Sequence, residues 1–320
     1  MKDKSPGYLP YILILVLTCL TYVPGLIYSG FFRDDWHMLW AANVAGPSGV
    51  FDLFKTDRPF MGLIYGLEWL ILRNSPLTWN LFALVLKVAG TIAFYELLRS
   101  VLPDKPRFTI SAALLFLVYP GFLQLPNGNT FQNHLMGLFL ALTSLLFSQK
   151  SWLASAQRTK ILFTLLSLLF QLLYLPIYEY MIGFEAIRVM LLARALIARD
   201  GAGQWLSKAR LGFKRLALSL SVTLAYLIWR FFFFSSGRST VDVGGLLMEY
   251  RQAPFESLVR MTFRMLTDWI EAIFLAWGVP LYNLTFSSEL RPTLTHIISA
   301  MIGAVLLVFV IRKFNEPAEL

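Results

Sequence analysis

A series of long, unbroken apolar runs constrains this chain more than any other feature. The first covers residues 8–28. Others follow at about 77–98, 108–122, 131–147, 161–177, 180–197 and 216–234. A run of about 18 apolar residues or more is the length that crosses bilayer hydrocarbon as a helix. No water reaches backbone N–H and C=O groups there, so only helices or closed barrels can cross. A barrel would alternate apolar and polar residues in segments of about 10. These runs are instead continuous and rich in Leu, Phe and Ala. The expected fold class is therefore an all-α polytopic membrane protein. Composition agrees: only 15% of the 320 residues are charged, against about 25% in soluble domains.

The net charge of +9 comes from Lys and Arg gathered between the runs. Basic residues hold short loops on the cytoplasmic side. Lys2 and Lys4; Arg99, Lys105 and Arg107; Lys150, Arg158 and Lys160; and the stretch from Arg194 to Arg215 all fall on one side if there are seven spans. The excess charge thus reads as topology, and nucleic acid is not an expected partner. The first run is long, contains Pro24 and ends without a small-residue cleavage pattern, so it reads as an uncleaved helix. Its far end then lies outside. Cys19, the one cysteine, has no partner for a disulfide and no metal-ligand spacing.

Beyond residue 235 the pattern changes. Residues 246–268 carry six charges, too many for a span, and suit a helix lying in the interface. Residues 269–284 read as a short span or re-entrant piece, and 293–311 as a last span, giving about 8–9 in all. The chain divides into a seven-helix unit, 1–235, and a C-terminal part, 236–320. The absence of a visible internal repeat weighs against an inverted-repeat transporter.

The first outside segment, 29–76, holds the chemistry. It opens with FFRDDWH, residues 31–37. Asp34 is placed to cap a helix. On that helix Trp36, Leu39, Trp40 and Val44 share one face, as expected at a membrane–water boundary. A second apolar stretch, 60–72, contains Glu68, and TDRPF (56–60) lies between the two. The segment thus offers acids Asp34, Asp35 and Asp57, and bases Arg33, His37 and Arg58, at head-group depth. The bland alternative is a cap and a surface ion pair, which contribute little.

An acidic pair after the first helix, followed by an acidic–basic–Pro triplet before the second, resembles the GT-C superfamily of membrane glycosyltransferases. The likeness is to the bacterial group of protein O-mannosyltransferases and aminoarabinose transferases. Asp34–Asp35 matches the pair, Asp57–Arg58–Pro59 the triplet, and residues 1–235 the seven-helix module with its large outer first loop. The resemblance implies transfer of a sugar from a polyprenyl-phosphate donor to a glycan, lipid or protein acceptor. The transfer would take place on the outer face of the plasma (inner) membrane and is expected to be inverting. Family members usually have more helices, and many carry an outer C-terminal domain; this sequence ends at RKFNEPAEL.

Such a reaction needs a carboxylate to take the acceptor's proton. The resemblance puts that base at the start of the pair, Asp34, with Asp35 and Asp57 as further catalytic candidates. A leaving phosphate needs fixed positive partners. Arg58 leads, because a guanidinium fork can hold two phosphate oxygens; Arg33 and Arg230 follow. His37, His134 and Glu179 are candidates for the substrate pocket. No organic cofactor is called for. Asp34 and Asp35 offer hard oxygens to Mg²⁺ or Mn²⁺, although two carboxylates alone do not make a metal site. Two other readings remain open: a transporter or flippase, and a non-catalytic scaffold. Mid-span charges are few, Lys87, Glu185 and Arg230, which weighs against the transporter.

Overall fold

The computed structural model describes residues 7–26, 29–121, 128–200, 205–235, 237 and 243–278, with scattered residues between 294 and 312. Every regular element among them is helical. In chain order these are α1 (Leu9–Leu26), α2 (Asp35–Phe54), α3 (Pro59–Leu72), α4 (Pro76–Val101), α5 (Pro106–Leu117), α6 (Gly128–Leu153) and α7 (Gln157–Tyr174). A single 3₁₀ turn, Glu179–Ile182, leads into α8 (Gly183–Asp200). Helix α9 (Trp205–Ile228) runs on into a π-helical turn, Trp229–Phe233. Helices α10 (Val243–Gln252) and α11 (Pro254–Ile270) follow.

Among the described residues, four segments are long and apolar enough to cross a membrane: Leu9–Leu26, Pro76–Val101, Gly128–Leu153 and Arg210–Phe233. Their outward residues are apolar, among them Ile12, Leu15, Leu81, Val85, Leu218 and Leu224. Polar residues are turned inward instead. Asn80, Lys87, Gln132, Ser144, Gln171, Glu185 and Arg188 are all buried. Apolar outside with polar inside is what a lipid solvent selects, since an unpaired charge in hydrocarbon is costly.

Helix α6 is the centre of the fold, packed along α4 on one side and α7 on the other. Small residues let the helices approach. Gly90 of α4 lies against the backbone of Phe139. At Gly128 a Cβ would fall 2.8 Å from the Cα of Asn80. The N–H of Gly128 donates to Asn80 Oδ1 at 3.1 Å, so the start of α6 is pinned to α4 by the Asn80 side chain, in space that a Cβ at residue 128 would fill.

The interior of α6–α9 is tied by one buried ion pair. Arg188, 1% exposed, donates from Nε to Glu185 Oε2 at 2.9 Å. Its remaining N–H groups reach the Ser144, Ser148 and Ser167 hydroxyls. Glu185 also accepts from Ser219 Oγ at 2.8 Å and from the Tyr174 hydroxyl. Every N–H of the guanidinium has an acceptor, the condition under which a buried ion pair is tolerated.

Several expectations change. The run at 108–122 forms a helix of 12 residues that stops at Leu117, ahead of Pro120. At 1.5 Å per residue it is about 18 Å long, short of the ~30 Å hydrocarbon thickness. The runs at 161–177 and 180–197 lie on α7 and α8, which carry more polar residues and are not among the four long apolar segments. Segment 29–76 is almost wholly helical, with α2 kinked at Gly46 (φ 64) and Pro47. Helix α11 has one buried residue, Ser257. Residues 271–278 prolong α11. The rest of the 269–284 piece, and most of the last span at 293–311, lie outside the described residues.

Candidate functional site

The two adjacent aspartates have different fates. The chain turns at Arg33, whose φ of 46° is in the left-handed region, uncommon for a residue with a Cβ. Helix α2 then starts at Asp35. Asp35 is 1% exposed, and its carboxylate accepts three hydrogen bonds. Oδ2 accepts from the Phe32 N–H at 2.9 Å. Oδ1 accepts from the Thr130 N–H at 2.9 Å and the Thr130 hydroxyl at 2.7 Å. Asp35 is therefore a staple between the start of α2 and the start of α6. Successive residues of a helix point about 100° apart, so Asp34 cannot share these partners. It occupies the N-cap position but makes no capping hydrogen bond, which corrects the expected cap. Its side chain is exposed and has no hydrogen bond or ion pair among the described residues; it lines a cavity of about 570 Å³.

That cavity is walled by α2, α3, the start of α6 and Tyr178. Its polar lining is Asp34, His37, Arg58, Tyr65, Thr130, His134 and Tyr178; Met38, Leu53, Phe54 and Met61 form the apolar floor. The volume suits a small polar head group. The outward face of α2 fits the expected boundary stripe: Trp36 and Trp40 are 60% and 70% exposed, and Val44 is exposed with them. Leu39 departs from the stripe and is buried.

The acidic–basic–Pro triplet has a structural cause. Pro59 opens α3 and disfavours helical geometry in the residue before it. Arg58 accordingly takes φ −138°, ψ 72°. The N–H groups of Asp57 and Arg58 both return to the Phe54 carbonyl at the end of α2. This corner aims Arg58 across the cavity. Asp57 is buried and its Oδ2 pairs with Arg58 Nη1 at 3.0 Å. Arg58 Nη2 lies 3.6 Å from Glu179 Oε2. The other oxygen of Glu179 pairs with Arg230 Nη2 at 2.8 Å. Four charges from three distant segments thus form one chain, Asp57–Arg58–Glu179–Arg230. Arg230 sits in the π-helical turn at the end of α9, a form of helix common at functional sites.

Aromatic rings complete the wall. The Arg58 guanidinium lies over the Tyr178 ring at 5.3 Å. Tyr178 stacks on His134 at 4.2 Å and His134 on Phe131 at 5.0 Å. His134 Nδ1 is hydrogen-bonded to the Tyr180 hydroxyl. The histidine is thus held on both faces and at one nitrogen. Burial raises the Tyr178 hydroxyl above its usual range, with the Tyr180 hydroxyl adding to the effect. Burial would also raise Glu179, but its own backbone N–H and the two arginines outweigh that and draw it below the usual glutamate range. Glu179 is therefore a carboxylate at neutral pH.

Behind the cavity, Tyr65 donates its hydroxyl to the Thr130 carbonyl at 2.8 Å. One turn along α3, Glu68 accepts from Gln132 Nε2 at 2.5 Å. Burial holds the Glu68 carboxyl well above the ordinary glutamate value.

The structure brings Asp34, His37, Arg58 and His134 to one cavity and links Asp57, Glu179 and Arg230 to it through Arg58. Arg33 is not among the lining residues; its guanidinium lies over Phe32 at 5.7 Å. Asp34 and Asp35 do not form a ligand pair for Mg²⁺ or Mn²⁺. Three of the roughly four lone-pair positions of Asp35 are occupied, and its carboxylate is buried away from Asp34. No group of three or more His, Cys, Asp or Glu side chains suited to a metal exists among the described residues.

Sequence reasoning missed Thr130, Tyr65 and Arg188. No local signal marks the first two, whose partners are 95 and 65 residues away. Arg188 stood three residues from Glu185, the spacing of a helical ion pair. The chain matches no protein-family model and no curated protein sequence.

Proposed function

We propose that this chain is an inverting membrane glycosyltransferase using a polyprenyl-phosphate sugar. The observation that carries the reading is the unpartnered Asp34 carboxylate on the wall of a 570 Å³ cavity that also holds the Arg58 guanidinium. Asp34 takes the proton from the acceptor hydroxyl or amine. The freed electron pair attacks the anomeric carbon. The bond from that carbon to the phosphate oxygen breaks, and the leaving pair stays on the phosphate. Arg58, with Arg230 behind it, offsets the charge that develops there. Asp57 positions Arg58. A single displacement inverts the anomeric centre. No step is assigned to a metal.

The further elements of this reading are a GT-C-like module over residues 1–235 and eight or nine spans. The N-terminus is cytoplasmic and the cavity opens on the outer face of the inner membrane. The Trp36–Trp40 face supports a position at the head-group boundary.

The test is transfer of a radiolabelled sugar from polyprenyl phosphate in proteoliposomes. Asp34→Asn is expected to lower the rate by 10²-fold or more, the scale of a general base, while the protein still inserts and folds. Full activity in Asp34→Asn would remove the base assignment.

A transporter reading draws on one observation, the buried Arg188–Glu185 pair. Its partners are side chains of α6, α7, α8 and α9, and the space adjoining it among the described residues is about 20 Å³. A structural tie accounts for it better.

A further inference from the structure

We propose that the Glu179 carboxylate is a built-in competitor of the donor phosphate, holding Arg58 and Arg230 until the donor displaces it. This rests on the donor-site reading above. Glu179 presents one oxygen to each guanidinium, at 2.8 Å to Arg230 and 3.6 Å to Arg58. A phosphate presents oxygens to two guanidinium forks in the same way, with more charge per group. The carboxylate therefore occupies the position that the incoming phosphate requires.

Three features make Glu179 displaceable where Asp57 is not. Its side chain is 41% exposed, against 10% for that of Asp57. It belongs to a single 3₁₀ turn between two helices, not to a helix body. Its contact with Arg58 is beyond hydrogen-bond length, whereas Asp57 meets the same guanidinium at 3.0 Å. Arg58 also keeps an unused valence: its Nε–H is buried with no acceptor. A phosphate replacing Glu179 could take both Nη2 and Nε, the bidentate edge of the fork.

Charge counting supports the same exchange. Asp57, Arg58, Glu179 and Arg230 sum to zero, so the resting cluster does not attract anions. When Glu179 swings out, the remaining three carry +1. A phosphate entering between the two guanidinium groups takes over the partners that Glu179 gives up.

The experiment is calorimetric binding of farnesyl phosphate to the detergent-solubilised full chain, with farnesol as the uncharged control. Wild type is expected to bind farnesyl phosphate and not farnesol. Glu179→Gln and Glu179→Ala are each expected to bind it roughly three- to tenfold more tightly, the scale of removing two partly exposed ion pairs. If wild type binds but both variants bind equally or more weakly, Glu179 is a positioning residue for the arginines, and the competitor proposal fails while the donor site stands. If neither wild type nor variants bind, the donor-site reading fails with it.

Discussion

Asp34 and Asp35 are neighbours of identical chemistry, and the structure predicts opposite consequences for their loss. Truncation of Asp35 to Ala removes an acceptor used by two main-chain N–H groups and one hydroxyl. Hydrogen bonds to a charged group contribute ~1.5–3 kcal/mol each, and donors left buried and unpaired cost more than their lost bond. The three share one carboxylate and are not additive, so a net loss of ~3–5 kcal/mol is expected. Asp34 has no partner among the described residues, and Asp34→Ala should stay within ~0.5 kcal/mol of wild type. The two variants should therefore differ by at least about sixtyfold in folding equilibrium. Unfolding of the solubilised protein with increasing SDS mole fraction, followed by tryptophan fluorescence, reads the difference directly. Thr130→Val, which removes only the hydroxyl, should fall between them. Equal stability of the Asp34 and Asp35 variants would refute the assignment of Asp35 as the staple, and with it the reason for giving the base role to Asp34.

Glu68 gives a pH signature. Its folded value is raised by burial, so the fold favours the protonated form, and stability declines as pH rises from the ordinary glutamate value towards the raised one. Glu68→Gln should remove that slope, matching wild type near pH 5 and melting higher at pH 8; a variant less stable than wild type at pH 8 would contradict the protonated state. In the α6–α9 interior, Arg188→Leu should cost ~3–5 kcal/mol because it leaves Glu185 buried and unpaired. The Arg188→Leu/Glu185→Leu double variant should recover most of that loss in the same SDS titration, and a double variant as unstable as the single would show that the serine hydroxyls, not the carboxylate, carry the cost.

The helical character of the chain and its long apolar helices were legible because hydrocarbon imposes a length and a polarity on each run. That Asp34, His37 and Arg58 of 29–76 would lie close together was legible in part, since they gather in two short polar stretches of one apolar segment. What could not be read was pairing at a distance. Whether Asp34 or Asp35 is spent on structure depends on Thr130. Glu179 joins Arg58 through a turn more than a hundred residues further on, and the role of His134 follows from Phe131, Tyr178 and Tyr180 closing around it. The run at 108–122 gives a shorter helix than the sequence suggests for a different reason. It has the apolar composition of a span, but Pro120 ends its helix early. Arg188 was within reach, since a charge three residues from Glu185 on an apolar helix calls for an ion pair.

The bond from Asp35 to Thr130 also sets a schedule. The carboxylate waits for a partner 95 residues downstream. At ~5–20 residues per second of synthesis, the start of α2 leaves the ribosome roughly 5–20 s before the start of α6 that fixes it. Through that interval Phe32 and Asp35 have only each other, and the cavity has no back wall. The cavity is therefore completed only after the start of α6 has been made, long after Asp34, His37 and Arg58 have left the ribosome.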